Sequence, residues 1–136
     1  MAGRSQIHHR AQMIWKDILL VGLGGGAGSI ARFLCQRSAH AIYPHAFPFG
    51  TLFVNIAGCF LIGLLFGMME KGNLLKPEFR MLLITGFCGG FTTFSAFAAE
   101  NIQLLKDGRL TYFLIYTIAS VTLGILSTFI GITLLK

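Results

Sequence analysis

Long apolar runs alternate with short polar clusters along the whole chain. Four runs contain no Lys, Arg, Asp or Glu: residues 18–31, 38–69, 81–99 and 110–135. A helix needs about 20 residues to cross about 30 Å of hydrocarbon, so the last three runs are long enough alone. The first run is long enough if Arg32 lies near the end of its helix. The pattern predicts an all-α membrane protein with four transmembrane helices, at about residues 17–38 and 50–69, after Pro77, and at 110–135.

Composition supports the membrane interpretation. Of the 136 residues, 54% are hydrophobic and 12% are charged, whereas a soluble domain carries roughly 25% charged residues. So few charges cannot cover a soluble enzyme of this size. The net charge of +6 suggests a nucleic-acid partner, but the Lys and Arg residues lie between the apolar runs. That placement is typical of the loops of a multi-pass protein, so we expect a lipid bilayer as partner, no nucleic acid and no enzymatic activity.

The N-terminus has two interpretations. Arg4, Arg10 and Lys16 precede an apolar run, as in a secretory signal peptide. However, this run is glycine-rich, no clear cleavage site follows it, and three more spans come after. We therefore favour an uncleaved first helix. Residues 1–13 are expected to form a mobile polar extension, and 14–136 a single four-helix transmembrane domain.

The third span contains residues that disfavour a uniform helix. It reads TGFCGGFTTFSAFAAE over residues 85–100, with three glycines and the β-branched pair Thr92-Thr93. A break through residues 89–95 would free main-chain groups that can bind ions, provided that protein or a water-filled cavity surrounds them. The alternative is a glycine packing face whose Thr hydroxyls bond back to their own helix. Composition alone does not decide between the two.

Several polar side chains lie inside the apolar runs. Asn55 is five residues into the second helix, with Thr51 one turn before it. The fourth helix carries Tyr112, Tyr116 and Ser120 at intervals of four residues. These groups could present N–H and O–H donors to an anion pathway. They could equally bond neighbouring helices together, at about 0.6–2 kcal/mol each.

Two charged residues lie nearest to membrane depth, Glu100 and Arg32. An ionisable residue inside the membrane is a candidate functional group. Both are expected toward the ends of their spans, where snorkelling would also satisfy them.

Phenylalanines recur every three residues beside the proposed break, at Phe91, Phe94 and Phe97. Most phenylalanines in a membrane protein face lipid or the core. A ring edge nevertheless carries partial positive charge, so ring edges together with Asn and Ser donors could receive a small anion. A strong cation would hold that anion too tightly for fast conduction.

The distribution of Lys and Arg gives little preference for either orientation of the chain in the membrane. Four spans place the N-terminus, the loop between the second and third helices, and the C-terminus on one side with seven Lys or Arg, against four on the other. Without the remote Arg4 and Arg10 the count is five to four, so the positive-inside rule has little effect. Such a chain can insert both ways and pair antiparallel. Because four thin helices do not easily enclose a pore, we expect a homo-oligomer.

Three motifs resemble a known family. They are GGGAGSIAR in the first helix, GTLFVNIAG at residues 50–58, and TGFCGGFTTFSAFAAE at residues 85–100. Over residues 14–136 the chain resembles the Fluc fluoride channels, also called the CrcB family. The resemblance implies an antiparallel dual-topology homodimer in the bacterial inner membrane, with a third helix broken at mid-membrane. It also implies two narrow pores that passively export fluoride from the cytoplasm and so lower its toxicity.

The resemblance also implies roles for particular residues. Asn55 faces the pore, the ring edges of Phe94 and Phe97 contact fluoride, and Arg32 lies near a vestibule. A structural sodium ion at the dimer centre is held by main-chain oxygens, at positions matching Gly89 and Thr92. The predicted fluoride pathway consists of Asn55, Phe94, Phe97, Ser95, Tyr116, Ser120, Thr51, Glu100 and Arg32.

The match has departures. Ala96 and Ala98 stand where the family motif carries hydroxyls, Gly124 where a further hydroxyl of the fourth helix is common, and Phe91 where a smaller aliphatic residue is common. Two other functions are alternatives for a small four-span protein. A proton-coupled exporter of cationic drugs needs an unpaired carboxylate near mid-membrane, and a non-transporting assembly subunit needs neither Asn55 nor a broken helix.

Overall fold

A computed structural model describes residues 2–43, 46–72 and 75–136, and the side chains from residue 12 onward. Every regular element in these ranges is helical. The elements are α1 (Ala2–Ile42), α2 (Phe49–Glu70), α3 (Pro77–Phe79), a π-helix (Arg80–Cys88), α4 (Gly89–Phe91), α5 (Phe94–Lys106) and α6 (Leu110–Leu135).

The four predicted spans are confirmed. Among the described residues, four helical stretches are long and apolar enough to cross a membrane: Gln12–Ile42, Phe49–Glu70, Pro77–Lys106 and Leu110–Leu135. The bounds of the first helix were wrong. It runs from Ala2 to Ile42, because no proline interrupts the sequence before Pro44. Its backbone thus continues through residues 2–13, whose mobility stays a prediction. Arg32 consequently lies well inside α1 and not toward the end of a span.

The third span is broken at its centre, as the family resemblance implies, whereas composition alone leaves a continuous helix open. Thr92 (φ −81°, ψ 156°) and Thr93 (φ −150°, ψ 113°) are extended and separate α4 from α5. Thr93 then caps α5, because its Oγ1 accepts a hydrogen bond from the Ala96 N–H at 3.2 Å. The π-helix on the other side of the break was not predicted. Such wide turns are frequent at functional sites.

Glycines allow α1 to pack closely on the first half of the third span. A Cβ atom added at Gly24 or Gly28 would overlap carbonyl oxygens of the π-helix, whereas one added at Gly22 or Gly26 would meet nothing within 4 Å. Of the two faces with glycines four residues apart, only the Gly24 and Gly28 face is therefore a packing surface.

The second close pair is α2 with α6. A Cβ atom at Gly63 would overlap the carbonyl oxygen of Thr128, and one at Gly131 would overlap that of Phe60. The two helix backbones therefore approach each other at residues that only glycine accommodates.

Two surface ion pairs identify one end of the bundle. Lys16 Nζ lies 2.9 Å from Glu78 Oε1, and Lys136 Nζ lies 3.2 Å from Glu70 Oε2. Exposed pairs of this kind contribute about 0–1 kcal/mol each, so their value here is topological. One pair joins the starts of the first and third spans, and the other joins the ends of the second and fourth, as four alternating spans require.

Candidate functional site

Asn55 clamps the break in the third span. The Thr93 N–H donates to Asn55 Oδ1 at 2.8 Å, and Asn55 Nδ2 donates to the Thr93 carbonyl oxygen at 3.1 Å. The extended backbone removes the helical partner of the Thr93 N–H, and an unpaired peptide group at membrane depth is costly. The Asn55 amide supplies the missing acceptor for the Thr93 N–H and also donates to the Thr93 carbonyl oxygen. It uses one of its two amide hydrogens for this, so the other can serve a further acceptor.

A cavity of about 360 Å³ opens beside this clamp. Among the described residues that form its wall there is no Lys, Arg or His. The rings of Phe94 and Phe97 lie with centroids 5.6 Å apart, and Phe94 is 78% exposed. Ser120 Oγ is buried without a hydrogen-bond partner among the described residues. The cavity brings together six of the predicted residues: Asn55, Gly89, Thr92, Phe94, Phe97 and Ser120.

A second polar cluster surrounds Glu100. Thr51 Oγ1 donates to Glu100 Oε1 at 2.6 Å, and the Tyr116 hydroxyl donates to Glu100 Oε2 at 2.7 Å. Thr51 is 2% exposed and Tyr116 is fully buried. Gln36 Nε2 donates in turn to Thr51 Oγ1 at 3.0 Å. Each carboxylate oxygen therefore receives a charge-assisted hydrogen bond. A cavity of about 460 Å³ gives access to Gln36, Thr51 and Glu100.

Aromatic rings join the two clusters. Phe97 lines the first cavity, and its ring centroid lies 5.2 Å from that of Tyr116, which bonds Glu100 in the second cluster. Thr51, Tyr116 and Glu100 thus continue the series of polar and aromatic groups that begins at Asn55.

Arg32 and Ser95 lie elsewhere than in these cavities. Arg32 Nε donates to the Gly90 carbonyl oxygen at 3.0 Å, and Ser29 Oγ approaches the same oxygen at 3.4 Å. Arg32 therefore braces the main chain at the break. Ser95 is exposed, and its Oγ lies 3.2 Å from Thr93 Oγ1.

The main chain at the break offers neutral oxygen ligands. Gly89 and Thr92 both line the first cavity. Because Thr92 has an extended ψ of 156°, its carbonyl is turned out of the helical ladder. Within residues 12–43, 46–72 and 75–136, no three or more His, Cys, Asp or Glu side chains lie close enough together to hold a metal ion. Main-chain oxygens are the ligand type that a hard cation such as sodium prefers, so these residues fit the predicted ion.

Sequence reasoning missed Gln36 and Thr93. Gln36 lies one turn after Arg32 on α1, so an uncharged polar side chain there was a detectable signal. Thr93 precedes the helical stretch of α5, the position that N-capping threonines occupy.

Comparison with known proteins identifies the family. A family model described as "CrcB-like protein, Camphor Resistance (CrcB)" matches residues 19–132. The chain belongs to the CrcB family. Two similar proteins are named "Fluoride-specific ion channel FluC". The one from Flavobacterium psychrophilum is 46% identical over 121 residues, covering 89% of this chain and 98% of the relative. The one from Chlorobium phaeobacteroides is 49% identical over 119 residues, covering 88% and 92%.

A third relative of the same name, from Gloeothece citriformis, is 48% identical over 120 residues, covering 88% of this chain and 97% of the relative. The family model's range, residues 19–132, spans all three motifs and both polar clusters. The family resemblance drawn from the motifs is confirmed.

Proposed function

We propose that this CrcB-family chain is a fluoride-selective channel that passively exports fluoride from the cytoplasm, working as an antiparallel homodimer with two pores. The observation that carries the proposal is the cavity at the helix break. In the part of the chain that the structure describes, it combines the Asn55 amide, two phenylalanine rings and the unpaired Ser120 hydroxyl, with no cationic side chain in its wall. The FluC names of the relatives support fluoride as the transported ion.

The cavity chemistry suits a small, strongly hydrated anion. Amide N–H, hydroxyl O–H and ring edges each present partial positive charge, and together they replace water around fluoride as it enters. Because none of them carries a full charge, the ion can leave again, as conduction requires. The membrane potential drives the export, at about 2.3 kcal/mol per charge for each 100 mV. Fluoride that entered as neutral HF is thereby removed as the anion.

The Glu100 cluster extends the same pathway. Thr51 and Tyr116 each direct a hydroxyl hydrogen at the carboxylate, which offsets its charge. A passing fluoride can accept these hydrogens in place of the carboxylate oxygens. Because both oxygens of Glu100 accept hydrogen bonds, Glu100 is not the unpaired carboxylate that a proton-coupled drug exporter needs.

A second copy of the chain is needed to enclose the pore. Phe94 is 78% exposed at the edge of the cavity, so one subunit leaves the pathway open on that side. The nearly balanced loop charges support insertion in both orientations, and antiparallel pairing follows from it. At the dimer centre, a sodium ion bound by the carbonyl oxygens of Gly89 and Thr92 would supply positive charge that ties the two breaks together.

The function is tested by fluoride efflux from liposomes that contain the purified protein, with a potassium ionophore to carry counter-charge. We expect rapid fluoride efflux and chloride efflux no faster than in protein-free liposomes. The absence of fluoride efflux under every salt condition would contradict the channel assignment. Equal fluoride and chloride rates would contradict its selectivity.

A further inference from the structure

Gln36 joins the first transmembrane helix to the Glu100 cluster. Its Nε2 lies 3.0 Å from Thr51 Oγ1, and Thr51 Oγ1 lies 2.6 Å from Glu100 Oε1. Gln36 is partly buried and Thr51 is 2% exposed. Three spans therefore meet in one line of hydrogen bonds, from Gln36 on α1 through Thr51 on α2 to Glu100 on α5.

The line has only one consistent direction. A threonine hydroxyl has one hydrogen to donate and lone pairs to accept with, whereas a carboxylate only accepts. The hydrogen in the contact between Thr51 and Glu100 must therefore come from Thr51. Gln36 must then donate its amide hydrogen to the Thr51 oxygen. This donation occupies a lone pair of Thr51 and leaves its single hydrogen directed at Glu100.

Threonine hydroxyls in this protein differ in where they donate their hydrogen. The hydroxyls of Thr122 and Thr133 on α6 donate to carbonyl oxygens of their own helix, four residues earlier, at 2.7 and 3.1 Å. This back-bonding is the common local choice for threonine in a helix. Thr51 donates across to another span, as Thr117 and Thr128 also do toward Asn101 and Cys59. The Thr51 oxygen in addition accepts the amide hydrogen of Gln36.

We infer that Gln36 is a positioning residue for anion passage, whose amide directs the Thr51 hydroxyl hydrogen toward Glu100 and the pathway. The inference rests on the proposed role of the Thr51 and Glu100 cluster in fluoride conduction. Gln36 itself need not touch the ion. Its effect passes through the Thr51 hydroxyl, so removing that hydroxyl must also remove the effect of Gln36.

A double-mutant cycle tests this dependence. Gln36→Met keeps the length of the side chain but has no N–H donor. In otherwise wild-type protein we expect it to lower initial fluoride efflux per folded dimer about fivefold, equivalent to about 1 kcal/mol. In a Thr51→Val background, Gln36→Met should cause no further fall. In a Thr51→Ser background, which retains the hydroxyl, the fall should persist. Gln103→Met is the matched control, because Gln103 is exposed and its amide donates to the Asp107 carboxylate at 2.8 Å, away from both polar clusters. Efflux of this variant should be unchanged.

Two outcomes would overturn the inference alone: unchanged efflux in Gln36→Met while Thr51→Val is impaired, or the same fall in both the wild-type and Thr51→Val backgrounds. Wild-type efflux in Thr51→Val would instead refute the proposed role of the cluster, and the inference with it. If Gln36→Met does not yield folded dimer, Gln36→Asn replaces it in the same cycle. Asn stays polar, but its amide is shorter by one carbon–carbon bond, about 1.5 Å, and cannot reach Thr51.

Discussion

Replacing Asn55 with Asp tests the clamp at the helix break and the pore together. The variant is nearly isosteric, and one of its oxygens can still accept from the Thr93 N–H. The other oxygen replaces Nδ2, which in the wild-type protein donates to the Thr93 carbonyl oxygen at 3.1 Å. Asn55→Asp therefore loses one hydrogen bond and leaves a buried carbonyl facing an acceptor, which costs about 1–3 kcal/mol of stability.

Conduction should suffer more than stability in Asn55→Asp. A fixed negative charge about 4 Å from fluoride repels it by about 4 kcal/mol at an effective dielectric constant of about 20. If this repulsion adds to the barrier, efflux falls by about a thousandfold. The assay is initial fluoride efflux from liposomes, divided by the amount of dimer measured by size-exclusion chromatography. Thermal unfolding in detergent reports the stability change separately.

Asn101→Asp is the matched control. Asn101 is 6% exposed on α5, donates to the Phe97 carbonyl oxygen at 3.0 Å, and accepts from Thr117 Oγ1 at 2.9 Å. The same chemical change there should also lower stability, but efflux per folded dimer should stay within about twofold of wild type, less than 0.5 kcal/mol. If the two variants conduct equally well per folded dimer, Asn55 does not face the pathway and the reasoning fails.

Four further predictions follow from the same geometry. Phe94→Ile keeps bulk but removes the ring edge, so efflux should fall at least about tenfold, or about 1.4 kcal/mol, while the dimer still forms. The same change at Phe129, which is 64% exposed on α6, is the control and should leave efflux unaltered. If Phe94→Ile also leaves efflux unaltered, the Phe94 ring does not line the pathway. Arg32→Met removes a charged donor from the Gly90 carbonyl oxygen and should lower dimer stability by about 1.5–3 kcal/mol, measured by thermal unfolding. Arg37→Met, at an exposed position of the same helix, should leave dimer stability unchanged. Equal stability of the two variants would contradict a stabilising role for the bond between Arg32 and Gly90. Replacing sodium by a bulky organic cation throughout preparation should weaken efflux or dimerisation. If neither changes when sodium is shown to be absent, the proposed sodium site is contradicted. An impermeant thiol reagent applied to intact cells should label about half of the copies that carry a single cysteine in the loop between the second and third spans, in a background without the native cysteines. Uniform labelling or uniform protection would rule out dual insertion.

Hydropathy determined the number of spans, and the glycine and β-branched content indicated where the third span could break. Both are local properties of the sequence. The apolar runs are long enough for four spans whatever their neighbours, and the sequence around Thr92 and Thr93 disfavours a continuous helix in any context. Asn55 and Ser120 stood out for the same reason, because an uncharged polar side chain is conspicuous inside an apolar run. Family-specific motifs then indicated fluoride transport before any contact was known.

Contacts between spans were decided only by the tertiary structure. Asn55 meets Thr93 38 residues away, and Arg32 meets Gly90 58 residues away. Neither pairing is encoded in the spacing of apolar residues, because it depends on how far each helix slides and rotates against its neighbour. The glycines at the helix crossings set that register by letting backbones touch. The crossing of α1 with the third span likewise brings Arg32 to the Gly90 carbonyl oxygen, a contact that the sequence did not predict, while its place near a vestibule stays a prediction of the family resemblance.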